Sequence, residues 1–366
     1  MDWLIHCPGG GFIMKKRTLA ALSAVLMAGS CVAAPVAFAG ETEAASGKTF
    51  EVGIVKYVDD ASLNQIEASI EKQLDKKSAE LGVTFHYTEY DGQADSTTLN
   101  QFASKLVDEK VDCIVPIATP AAVIMQSATE DTGIPVVFSA VTDPETAGLV
   151  KSNDAPGANV TGTSDALDTE AVFKLMQAAN PNLKKVGLLY NKSEDASKKA
   201  IEEAKAYCDK NGLEYVEKTG TTADEIIQAA QALIGEGVEA AFTPTDNTVM
   251  TAELSIYEDF IDAKIPQYCG ADSFALNGAF CGYGVNYAEL GTETANMVSD
   301  ILAGGADPAT TPVRTLNNGI ATVNTETAEA IGIDYSMFKD MCEKVVETKT
   351  AKEFSDQTEA ATEAES

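Results

Sequence analysis

Histidine is almost missing from this chain: His6 and His86 are the only two among 366 residues. A Ser-His-Asp arrangement therefore has almost nothing to work with. His86 falls in a strand pattern, where a structural role is expected. The dinucleotide fingerprint GxGxxG is missing as well, since the first strand runs into Lys56-Tyr57-Val58-Asp59-Asp60. No GxxxxGK phosphate loop occurs, and no two cysteines stand in CxxC spacing. Downstream of Cys31 there are five cysteines, at 113, 208, 269, 281 and 342. That odd set speaks against a zinc site or a disulfide framework. Cys113 and Cys208 read as inert core thiols, while Cys269 and Cys281 lie on strands that could be neighbours, which leaves a disulfide there open.

Positive charge is scarce. Lys and Arg number 26 against 56 Asp and Glu, a formal net charge of −30. That balance argues against nucleic acid and anionic membrane surfaces as partners. With so many acids, spacing alone singles out no catalytic pair. No catalytic residue, metal or cofactor is expected.

What is present begins with an export pattern. Lys15-Lys16-Arg17 precede an apolar run from 19 to 39 that is broken by Ser, Gly and Pro35. Ala37-Phe38-Ala39 before Gly40 fits cleavage by a signal peptidase, and Ala28-Gly29-Ser30-Cys31 resembles a lipoprotein box with lipidation at Cys31. Both exits place the mature protein outside the cytoplasm, with simple secretion the leading reading. The glycines at 9–11 just before Met14 suggest that translation starts at Met14. A linker follows at 40–48. The acidic segment 346–366 has almost no large apolar residue and is read as a disordered tail.

Between these ends the chain is written twice, at a shift of roughly 130 residues. EVGIVKY (51–57) recurs as KVGLLY (185–190), with Gly53 over Gly187. Helix ends at Gly82 and Gly212 match, as do Ile134-Pro135 and Ile265-Pro266. The stretch 111–125 matches 238–250, laying Thr119-Pro120 over Asp246-Asn247. In each copy an apolar strand runs through a polar turn into a helix start, whose free N–H groups and positive dipole suit a polar ligand. Short apolar strands alternate with helices of about 10–18 residues throughout, which implies parallel sheets covered on both faces. The expected fold is α/β, with two similar doubly wound lobes joined by three crossovers. One lobe takes 49–161 and 286–310; the other takes 162–285 and 311–345.

Six stretches together resemble the substrate-binding proteins of ABC transporters, in the group that includes tryptophan- and tyrosine-binding members with the type I periplasmic binding protein fold. They are ATPAA (118–122), IPVVFSAVTDP (134–144), NVTG (159–162), VGLLYN (186–191), PTDN (244–247) and NYAELG (286–291). The chain departs from the family after the second Ile-Pro, at Gln267-Tyr268-Cys269-Gly270. The resemblance implies an extracytoplasmic monomer that closes two lobes over a small ligand, an amino acid with an aromatic side chain favoured, and hands it to an ABC permease. A ligand sensor of the same fold for a membrane signalling partner, and more remotely a secreted carboxylate-based enzyme, are the alternatives.

In such a fold the cleft is built at the C-terminal ends of the strands. Thr119, with Pro120 and Ala121, is the candidate for a ligand carboxylate, and Asp246 with Asn247 for an ammonium group. Asn191 and Ser193 would bind from the second lobe. Thr142, Asp143, Asp165 and Asp272 complete the polar set. Tyr57 and Tyr190 would stack on an aromatic side chain, and Tyr287 is a third stacking candidate.

Overall fold

In the computed structural model, which describes residues 47–351, the chain starts the first sheet with β1 (Thr49–Lys56). α1 (Ala61–Leu81) follows, capped by Asp60 and closed by Gly82 at φ 67°. β2 (Thr84–Asp91), α2 (Ser96–Glu109), β3 (Cys113–Ile117), α3 (Thr119–Thr129), β4 (Val136–Phe138) and β5 (Val160–Ser164) complete the first pass. The second sheet is then laid down with α4 (Thr169–Ala179), β6 (Lys185–Tyr190), α5 (Asp195–Asn211), β7 (Glu214–Thr219), α6 (Ala223–Gly235), β8 (Ala240–Thr243), α7 (Asn247–Ala252), α8 (Tyr257–Asp262), β9 (Gln267–Cys269), α9 (Asp272–Leu276) and β10 (Cys281–Gly284). The chain returns to the first lobe for α10 (Tyr287–Leu302) and β11 (Arg314–Thr315), then ends in the second with β12 (Ile320–Asn324), α11 (Thr325–Ile331) and β13 (Lys344–Thr348).

The two sheets have strand orders β11-β5-β4-β3-β1-β2 and β13-β12-β10-β9-β8-β6-β7. Every pairing between them is parallel except β10 with β12. Both lobes thus repeat one winding, in which the second strand lies outside the first and the third to fifth run the other way. The repeated glycine has a packing cause. A Cβ on Gly53 would lie 2.6 Å from Leu106 of α2, and a Cβ on Gly187 would lie 2.6 Å from Leu233 of α6. Each lobe therefore lets one leucine press onto its first strand, and a side chain there would force that leucine to shift.

The three connections run from Ser164 to Thr169, from Gly284 to Tyr287, and from Thr315 to Ile320. β5 and β11 pair with each other inside the first sheet, so the crossings come later than the expected boundaries at 161 and 310. α7 and α8 are separated by a 3-10 turn at Glu253–Ser255, and Glu253 accepts there from Gln267 at 3.0 Å. The tail expected from 346 begins instead as β13, paired with β12 through Thr348. Beyond it the Thr350 hydroxyl bonds Asn324 at 3.0 Å, and residues 352–366 lie outside the described residues, as do the leader and most of the linker.

No disulfide joins Cys269 and Cys281: both are free thiols. Cys281 stands opposite Tyr268 in register, and Cys269 opposite Gly282. One register step puts the two side chains on opposite faces of the sheet. Among the described residues no helix is long and apolar enough to cross a membrane.

Candidate functional site

The strand ends of both lobes that carry the predicted residues are the C-terminal ones. β1 leads to Tyr57–Asp60, β3 to Ala118-Thr119 and β4 to Ser139–Thr142. From the second lobe β6 leads to Asn191–Glu194, β8 to Asp246 and β9 to Asp272.

In the first lobe, Ala118 and Ala140 end adjacent strands with φ of 79° and 54°. Residues with a Cβ avoid this left-handed region, so both positions hold backbone strain of about 1–2 kcal/mol. The turn at Ala118 starts α3 at once. Ala122 donates to the Ala118 carbonyl at 3.0 Å, so the N–H groups of Thr119 and Ala121 precede the helical ladder. Pro120 occupies the first turn, where its missing N–H costs nothing. The Ala121 methyl is buried in the core beside Ala122 and Met125, which leaves only its backbone for a ligand. Thr119 is buried, and its Oγ1 has no hydrogen-bond partner among the described residues. A buried orphan hydroxyl in a native fold calls for an explanation, and a ligand atom supplies one.

Beside it, Thr142 Oγ1 donates to Asp165 Oδ1 at 3.0 Å, and Tyr287 Oη donates to Asp165 Oδ2 at 3.2 Å. The three residues tie the β4 loop, the first crossover and the second crossover together. Burial pushes Asp165 above the ordinary carboxylate range, and its two hydrogen bonds partly offset that. Tyr287 is fully enclosed here rather than free to stack. Asp143 is used locally, accepting from the N–H and hydroxyl of Thr146 at 3.1 and 2.8 Å.

In the second lobe Asp246 is almost completely satisfied by protein. Its Oδ1 accepts from the N–H groups of Thr248 (3.0 Å) and Val249 (2.9 Å) as the cap of α7. Its Oδ2 accepts from the Asn191 N–H (2.7 Å) and the Ser197 hydroxyl (2.6 Å). Asn191 in turn donates to Thr248 Oγ1 at 2.9 Å and accepts from the Ser193 N–H at 2.9 Å. Ser193 itself is exposed on the turn. Tyr190 does not face the cleft. It packs with Phe173, Tyr207 and Phe242 on the far side of the sheet, and its hydroxyl donates to Glu217 at 2.6 Å. Alternation along β6 explains this: Leu189 joins the apolar cluster that contains Ala118 and Tyr287, so the next side chain must leave by the other face.

Two residues of the site were not anticipated. Glu194 is buried and accepts from the N–H and side-chain amide of Asn247. Burial and then the neighbouring Asp246 push it up to about 8, and burial raises Asp246 as well. Asp60 caps α1 through the N–H groups of Ser62 and Leu63, and burial takes it up to about 7. A signal existed for Asp60, since Asp followed by an apolar helix is an N-cap pattern. For Glu194 there was none, because its partner lies 53 residues away.

The lobes meet across these groups. Tyr57, on the first lobe, is raised to about 12 by burial and then by Glu194 and Asp246 of the second. Ser62 and Gln65 of α1 donate to Asp272 of α9 at 2.5 and 3.2 Å. A cavity of about 210 Å³ opens at the rim, between Val58–Ala61 and Met250, Thr251 and Leu254. None of the sequence-predicted residues lines it.

A cleft between two such doubly wound lobes, fed by the C-terminal ends of their strands and spanned by three crossovers, defines a type I periplasmic binding protein. The chain belongs to the ABC transporter substrate binding protein family, which it matches over residues 51–340. It is 34% identical over 286 residues to the tyrosine-binding protein of Clostridioides difficile strain R20291, covering 78% of this chain and 82% of that one. Among solved structures, an ABC domain from Streptococcus pneumoniae in complex with L-Trp superposes with a TM-score of 0.75 at 31% identity, over 82% of this chain and all of that one. A ligand-free, open substrate-binding protein with adhesive properties from Clostridium difficile gives 0.63 at 32% identity, again over 82% of this chain and all of that one.

Proposed function

We propose that this protein is the extracytoplasmic solute receptor of an ABC importer and that it binds an amino acid with an aromatic side chain between its lobes. The observation that carries the reading is the polarity of the cleft. Its first-lobe side offers the start of α3 and the unpartnered Thr119 hydroxyl, which suit a carboxylate. The strand ends of the two lobes also carry the buried carboxyls of Asp60, Asp165, Glu194 and Asp246, with no Lys, Arg or His among their hydrogen-bond partners in the described residues. Such groups favour a ligand that brings a cation. A zwitterion answers both sides. Glu194, Asn247 and Thr248 preassemble the second-lobe wall, so Asp246 acts as a through-charge partner rather than by a free oxygen.

The L-Trp complex and the tyrosine-binding relative favour an aromatic amino acid. The better superposition on the Trp-bound relative than on the open one favours a closed arrangement of the lobes here. Closure is a hinge motion at 165–168, 285–286 and 316–319, and contacts to both lobes shift the population toward it. Binding without turnover, release to a permease, export past the membrane and action as a monomer belong to the same reading.

The test is thermal denaturation of solute-stripped protein with L-Trp, L-Tyr, L-Phe and L-Leu. At one hundred times the Kd, native-state binding adds about 2.7 kcal/mol, enough to raise Tm by several degrees. A rise with one aromatic amino acid and none with L-Leu is expected. No shift with any of the three aromatics rejects the ligand class.

A further inference from the structure

We propose that the empty protein closes on a latch between its lobes, formed by Ser62 and Gln65 of α1 against Asp272 and Ser273 of α9, and that the closed form tightens when Asp60, buried beside this latch, carries a proton. The geometry is reciprocal. The Ser62 hydroxyl donates to Asp272 Oδ1 at 2.5 Å and accepts from the Ser273 N–H at 3.1 Å. Gln65 Nε2 reaches the other oxygen, Asp272 Oδ2, at 3.2 Å. Ser62 is 1% exposed and Ser273 0% exposed, although each sits at the first turn of a helix facing the other lobe. These bonds are made by protein alone, so they favour the shut form whether or not a solute is present.

The same seam concentrates negative charge. Asp60, the cap of α1, is buried, and the charge of the half-buried Asp272, the first residue of α9, acts on it across the seam. Asp165, after β5, and the hydroxyl of Tyr287, the first residue of α10, are the other titratable groups against it. All four are acids, and none of the described salt bridges involves any of them. The Ser62 and Gln65 bonds hold Asp272, and backbone N–H groups hold Asp60, but neither supplies a positive charge.

The sign follows from burial. Burial first, and the charge of Asp272 in the same direction, raise Asp60 against the hydrogen bonds that hold its carboxylate, to about 7 on balance. In open lobes these carboxyls return toward their ordinary value of about 3.9. The shut form therefore binds more protons than the open one. The contribution of the proton to closure is complete below the open-state value, and it is lost as pH rises through about 7. For each extra proton held, the shut-to-open ratio changes about tenfold per pH unit within that window.

Small-angle X-ray scattering on solute-stripped full-length protein at acidic and mildly alkaline pH tests this, with circular dichroism to confirm folding. The radius of gyration of the wild type is expected to be smaller at acidic pH. An Asp60→Asn variant keeps the cap, because one amide oxygen can accept from both Ser62 and Leu63 as Oδ1 does now, but lacks the charge, and it should stay compact at both pH values. Ser62→Ala should be expanded even at acidic pH. An unchanged wild-type radius between the two conditions overturns the proposal, and so does an Asp60→Asn variant that keeps the full wild-type response. Because no solute is added, a failed amino-acid titration would reject the ligand reading and leave this result standing.

Discussion

Glu194 accepts two hydrogen bonds from Asn247, one from its backbone N–H at 2.9 Å and one from its side-chain amide at 2.5 Å. A carboxyl at the start of α5 thus fixes the start of α7. Removing it leaves the Asn247 donors buried without an acceptor, at a cost of about 1–3 kcal/mol. Glu194→Ala should lower Tm by several degrees and weaken amino-acid binding at least tenfold. Glu194→Gln, which keeps one oxygen in place, should recover most of the Tm. Thermal melts with and without ligand check both.

Thr119 should separate stability from binding. Its buried Oγ1 has no partner in the protein, so Thr119→Val removes an unsatisfied group at nearly constant shape. Stability should be unchanged or slightly higher, while affinity falls by roughly 1–1.5 kcal/mol, about tenfold. Calorimetric titration alongside urea unfolding measures the two effects. Equal losses in both would assign the hydroxyl to packing.

Glu253 gives the second lobe a dependence on alkali. It is 0% exposed and accepts from Gln267 at 3.0 Å, while its other oxygen and that of Gln267 are unpartnered. Burial takes it from 4.5 to about 8, so the folded protein holds a neutral acid. A group raised on folding stabilises fully below its unfolded value and loses that contribution as pH climbs through its folded one. The loss is on the order of a few kcal/mol, at 1.36 per pKa unit. Tm should fall between about pH 5 and 9, and Glu253→Gln should flatten part of that fall. An identical pH profile in the variant would refute the assignment.

The thiols offer a chemical check. Cys113, Cys208, Cys269 and Cys281 are buried and Cys342 is half-buried, all of them reduced. In protein lacking residues 1–46, a thiol reagent should modify Cys342 first in the native state and all five after denaturation. Dithiothreitol should leave Tm unchanged.

Much of the architecture was legible because it was written twice. Gly53 and Gly187, the matched glycine helix ends and the strand–turn–helix at Thr119 and Asp246 each have a local cause that recurs in both lobes. Strand register does align these turns: Gly53 lies beside Ile114, and Gly187 beside Ala241. Yet α3 starts on Thr119, whereas α7 starts one residue after Asp246. That step makes one residue an unpartnered donor and the other a saturated cap. Periodicity could not reveal it, since it depends on which side chains arrive from elsewhere. Tyr190 was misread because a tyrosine ending a strand next to the cleft can leave by either face, and only the packing of Leu189 decides. β13 escaped notice because Lys344–Thr348 has two valines among polar residues and gains its strand character from β12.

β11 and α10 belong to the first sheet's lobe, although five strands of the second, β6 to β10, are encoded before them and β12 and β13 after them. During synthesis, then, neither half can be finished while the ribosome is still within the other. The early portion emerges without the helix that covers α1 and without its edge strand, and it gains both only after β6 to β10 of the second lobe have been made. A chain built this way cannot complete its first sheet until five strands of its second have been synthesised.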